Sequence, residues 1–133
     1  MPAIYPVFER PLPEANKFNG NFLSRWLRNL DERASSIDVT QLSRFIDSNT
    51  MASEVLDDEQ LANIPVPPVQ WHRAEDGLVV LRGILSVIEP NDARFHSRRG
   101  DEREALVREL RQLEDLLVSA AHDSNRFHLL VDI

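Results

Sequence analysis

The sequence has no cysteine, which excludes disulfides, thiolate metal sites and a cysteine nucleophile. Lysine is nearly absent as well: Lys17 is the single one, and every other cationic side chain is arginine. Arginine offers a planar fork for carboxylates and aromatic faces, a chemistry suited to interfaces, although biased codon usage is the plainer explanation. The glycines Gly20, Gly77, Gly83 and Gly100 stand apart from one another. That spacing leaves no glycine-rich phosphate loop and no nucleophile elbow. No long hydrophobic run occurs either. The most apolar stretch, Leu78 to Ile88, is broken by Arg82 and Gly83 and falls short of the roughly 20 residues that span a bilayer. The start, Met1-Pro2-Ala3-Ile4-Tyr5-Pro6, lacks a basic region followed by an apolar one. It does not read as a secretory signal, and a cytoplasmic protein is the simplest expectation.

What is present is an ordinary folding composition. The chain has 133 residues, 42% hydrophobic and 28% charged, enough for one core, so residues 1–133 are expected to form a single helical domain. The formal net charge is −7. That field repels phosphate backbones and anionic membrane surfaces, and speeds encounter with a basic protein. Solubility alone also accounts for acidity of this size.

Residues 1–20 carry prolines at positions 2, 6, 11 and 13, which fix an extended arm rather than a helix. Its Ile4, Tyr5, Val7 and Phe8 are expected to lie across the chain's own domain, since exposed apolar patches are uncommon in monomers. Phe22, Leu23, Trp26, Leu27 and Leu30 recur at helical spacing, with Asn21 as N-cap and an end near Ser36. Asp38 is placed as the cap of a second helix carrying Ile37, Leu42, Phe45 and Ile46. A short segment with Met51, Val55 and Leu56 follows, then a short helix from Asp57 to Asn63. Residues 64–70 form a proline-rich connector that cannot be helix interior. Residues 74–89 are apolar on nearly every side and predict a helix in the centre of a bundle, with a strand as the competing reading.

Leu106, Leu110, Leu113, Leu117 and Ala120 repeat at four, three, four, three and predict a helix over 101–122. The tail Phe127–Ile133 alternates and reads as a short strand, paired with the amino-terminal arm, or as a last helical turn. The fold class expected from all this is all-α: a compact bundle of about five helices with an extended amino-terminal arm.

Few residues carry chemistry. The four histidines, His72, His96, His122 and His128, form no His-x-x-x-His or His-Glu-x-x-His spacing; no catalytic residue, metal ligand or cofactor is assigned. Asp57, Asp58 and Glu59 are neighbours on one turn, the wrong geometry for acid–base work but a ready acidic patch. Arg94, His96, Arg98 and Arg99 form the one locally basic stretch, extended by Arg103, where a flexible loop with internal ion pairs competes with an anion site. Arg-Phe-His occurs at 94–96 and again at 126–128, a coincidence or the trace of a degenerate repeat.

The functional expectation is a non-enzymatic protein-binding module that occludes a partner with a basic surface, as an antitoxin or immunity protein does. Asp57, Asp58, Glu59, Arg94, His96, Arg98 and Arg99 are the candidate contact residues. A small acidic secretion chaperone or adaptor, dimeric in that version, is the alternative. A ligand binder or enzyme using the Arg94–Arg99 loop is the third reading. Neither nucleic acid nor membrane is expected as a partner.

Overall fold

The computed structural model describes residues 3–46, 70–88, 96–97 and 100–132. Strand β1 (Ala3–Phe8) opens the chain. A 3-10 turn (Pro13–Lys17), helix α1 (Asn21–Arg25), helix α2 (Leu27–Ser36) and a second 3-10 turn (Leu42–Phe45) follow. Helix α3 (Ala74–Ile88), strands β2 (His96–Ser97) and β3 (Gly100–Asp101), helix α4 (Arg103–His122) and strand β4 (Phe127–Asp132) complete the order.

The expectation of an all-α bundle of about five helices is corrected. The described residues hold four α-helices and an antiparallel pairing of β1 with β4, so the fold is helix-dominated but not all-α. The register runs from Ala3 opposite Asp132 to Phe8 opposite Phe127. A lone strand leaves its backbone donors and acceptors unmet; here the two ends of the chain satisfy each other. The arm thus lies across its own domain.

Pro6 sits inside β1 at no cost to this ladder. Ile4 donates its N–H away from β4, to the Gly20 carbonyl at 3.1 Å, whereas Glu9 donates towards it, to Arg126 at 2.9 Å. Alternation along an antiparallel strand then points position 6 away from β4, where proline's missing N–H is not needed. The far edge of β4 is occupied too. Phe127 and His72 exchange both backbone bonds, at 2.8 and 2.9 Å, and Ile46 bridges Leu129 in parallel.

The first expected helix is split at Trp26 into α1 and α2, which meet there with Trp26 in a turn conformation. The second expected helix is not formed as read. Asp38 is not an N-cap but the left-handed residue that ends α2, with φ 58°. Val39 donates to the Ala34 carbonyl and Asp38 to that of Ser35, a Schellman closure. The helical spacing of Leu42 and Phe45 survives only as the 3-10 turn that buries both. Ser124, with φ 52°, closes α4 in the same way, with Asn125 donating to Ala120 and Ser124 to Ala121. The segments read at 51–63 and the connector up to residue 69 lie outside the described residues.

Both long helices form where their spacing placed them, and they pack along each other. Residues 74–88 are helix, not strand, because Leu78, Leu81, Ile84, Leu85 and Ile88 share one face against the Leu106, Leu110, Leu113 and Leu117 row of α4. Yet α3 is not enclosed on all sides: Glu75, Val79, Arg82 and Ser86 are exposed. Phe127 of β4, 1% exposed, ties sheet to helices. Its ring stacks on Phe45 at 5.3 Å and lies 6.5 Å from Phe8. Burial of such a side chain contributes roughly 1.5–3 kcal/mol. Among the described residues no helix is long and apolar enough to cross a membrane.

Candidate functional site

Most residues singled out by sequence fall outside what the structure describes: Asp57, Asp58, Glu59, Arg94, Arg98 and Arg99. The exception is His96, which lies in β2 with its backbone opposite Asp101, while Ser97 pairs Gly100. Within the stretch read as irregular, His96 and Ser97 are therefore strand, paired with Gly100–Asp101 just after it. Among the described residues no group of three or more histidine, aspartate or glutamate side chains is placed to hold a metal ion.

Two buried carboxylates were not singled out by sequence. Glu102 accepts Trp26 Nε1 at 2.8 Å and Arg25 Nη1 at 2.5 Å. Glu109 accepts the backbone N–H of Leu23 at 2.9 Å and of Phe22 at 3.2 Å. Glu102 is the residue just before α4 and holds the α1–α2 joint through Arg25 and Trp26, whereas Glu109, one heptad on within α4, holds the amino-terminal end of α1. Burial raises the Glu109 pKa above the usual carboxylate range, and the two backbone bonds pull it partly back. Its oxygens already bond protein groups, so it acts in architecture. The signal in the sequence was its place beside the leucine row.

An open groove of about 910 Å³ runs between the Asp38–Phe45 segment and the first two turns of α3. Each wall has a local cause. The Schellman closure at Asp38 turns the chain away from α2 and lays Val39, Thr40 and Gln41 along one side. The 3-10 turn sets Arg44 and Phe45 beside them. On the other side, the paired backbone bonds to Phe127 hold His72 in place, and its ring meets Phe45 edge-on at 5.0 Å. The Asp76 N–H bonds the Arg73 carbonyl at 3.1 Å, starting α3. Carboxylates in that first turn complement the helix dipole.

The lining is thus mixed: Asp38 and Asp76 carry negative charge, Arg44 positive, and Val39, Val79 and Val80 are apolar. Val79 keeps 61% of its surface in solvent. Sequence reading passed over the groove because its residues come from three separate segments. Only Val79, an apolar residue in the polar row of α3, betrays it.

Elsewhere, among the described residues, five arginines form ion pairs within the fold. Arg25 pairs with Glu102, Arg82 and Arg111 with Glu114, Arg73 with Glu75 and Arg126 with Glu9. By contrast, the sequence from Asp47 to Val69 contains Asp47, Glu54, Asp57, Asp58 and Glu59 and no cation at all. The chain matches no protein-family model, no curated protein and no solved structure.

Proposed function

We propose that this chain is a non-enzymatic protein-binding module that occludes a partner with a basic surface, as antitoxins and immunity proteins do. The groove beside α3 receives a segment of that partner. The observation that carries the reading is the lining itself: two carboxylates, Asp38 and Asp76, beside a solvent-exposed valine, Val79. A segment bearing arginine or lysine next to an apolar residue satisfies both features at once. The net charge of −7 favours the same class of partner, because complementary potential raises the rate of encounter. Asp57, Asp58 and Glu59 add to that charge.

The test begins with the tagged chain expressed in its source cells. A co-purifying protein is identified by mass, purified and recombined with the chain. Expected is a complex whose affinity falls with added salt and drops at least about tenfold in Asp38→Arg and in Asp76→Arg. Recovery of no defined complex, or an affinity indifferent to salt and to both substitutions, rules the reading out.

A further inference from the structure

We propose that the outer face of α3 is a self-association surface and that its occupant is a second copy of this chain. Val79 borders both this face and the groove, but the inference does not require the groove to bind a partner.

Glu75, Val79, Arg82 and Ser86 follow one another at four, three and four residues, and all are exposed. This is the spacing of a seam between two packed helices. The opposite face of α3 is committed to the core through Leu81, Ile84, Leu85 and Ile88. One flank is covered by Ile37 and Val39: a Cβ built on Gly83 would lie 3.1 Å from Ile37 Cδ1 and 3.5 Å from Val39 Cγ1. On the other flank Arg82 bonds Glu114 of α4 at 3.3 Å. Between those flanks no described residue covers the stripe, and its four side chains are exposed.

Two features identify the occupant. The first is apolar. Among the described residues three large hydrophobic side chains are exposed, and Val79 (61%) and Ile37 (37%) both belong to this region; the third is Val118 (44%) on α4. The second is charge order. A two-fold contact sets an element against itself, so that each residue meets its symmetry mate. With the axis at Val79 and the helices antiparallel, valine meets valine. Arg82, one turn further on, then comes opposite the second copy's Glu75, one turn back, and symmetry makes the same pair twice. A parallel arrangement would set Glu75 against Glu75 and Arg82 against Arg82, which like-charge repulsion rejects. The stripe is complementary to itself in one orientation only. Arg82 can serve both partners: its side chain is 60% exposed, and a guanidinium carries five donors in a fixed fork.

The experiment is sedimentation equilibrium of the full chain over a wide concentration range. Expected is a mass that rises from 15.3 kDa to twice that value. Val79→Asp is expected to stay monomeric throughout. Arg82→Glu and Glu75→Arg are each expected to weaken the dimer about tenfold, and the two together to restore most of the loss. All four substitution sets lie on exposed positions, and circular dichroism confirms that each variant folds. A wild type that stays at 15.3 kDa up to high concentration overturns the proposal and leaves this face to another protein or to none. It is equally overturned by a dimer that survives Val79→Asp, or by a double charge swap no better than either single one.

Discussion

The carboxylate of Glu109 on α4 closes the amino-terminal end of α1, accepting the N–H of Leu23 at 2.9 Å from a position 86 residues away in the chain. Helix α1 has no capping side chain of its own at Gly20. A short helix of this kind is held by its neighbour, because five residues nucleate poorly alone.

Removing that cap is expected to destabilise the whole fold. Glu109→Ala leaves the Phe22 and Leu23 donors without their acceptor, at a cost of about 2–3 kcal/mol. Glu109→Gln keeps one acceptor oxygen and is expected to lose about half as much. Urea unfolding followed by far-ultraviolet circular dichroism measures both. Midpoints equal to wild type would show that α1 is held by something else.

The same residue sets a pH dependence. Burial raises its native pKa above the ordinary value of 4.5, so the native state takes up a proton at a pH where the unfolded chain does not. Its contribution to stability is therefore fully present below pH 4.5 and is lost as pH rises through the native pKa. Relative to Glu109→Gln, wild type is expected to gain stability on acidification through that window. Denaturation midpoints at stepped pH values decide the matter, and parallel curves for the two proteins would refute it.

Two helical glycines are expected to respond in opposite directions. A Cβ on Gly77 would lie 2.7 Å from Phe127 Cζ and 2.9 Å from Leu117 Cδ1, both fully packed side chains. Gly77→Ala is expected to cost about 1–3 kcal/mol despite alanine's better helix propensity. At Gly83 the nearest atom is Ile37 Cδ1 at 3.1 Å, the end of a partly exposed chain that can move. Gly83→Ala is expected to stabilise by up to about 1 kcal/mol. Thermal melts of the two variants side by side are sufficient.

Both Schellman closures carry a residue other than glycine in the left-handed region, Asp38 at φ 58° and Ser124 at φ 52°. Asp38→Gly and Ser124→Gly relieve a conformation that L-residues adopt at a cost of about 1 kcal/mol. Each is expected to raise stability by roughly 0.5 kcal/mol after the added chain entropy of glycine. A fall in melting temperature for either would mean that the side chain makes contacts worth more than the strain.

The helices α3 and α4 were legible in the sequence because their apolar residues repeat at the helical period over several turns, a pattern that few other structures satisfy. The extended arm was legible too, through proline, while the alternation of Phe127–Ile133 left a strand paired with that arm and a last helical turn both open. The pairing reading is the one that holds, and the choice, which turns a supposed bundle into a mixed fold, depends on bonds between residues more than a hundred positions apart, such as Glu9 to Arg126.

Local pattern determined which segments could be helical and where they stop: proline fixes φ, and a row of leucines must be buried. The tertiary structure alone decided three things. Asp38 ends a helix instead of beginning one, since aspartate suits both the extended N-cap conformation and the left-handed one that it adopts here. Glu109 is buried where a surface acid was the natural expectation, with two orphan N–H groups of α1 offsetting part of its desolvation. And the groove and the α3 stripe exist as surfaces only because packing leaves Val79 uncovered while it closes over the leucines around it.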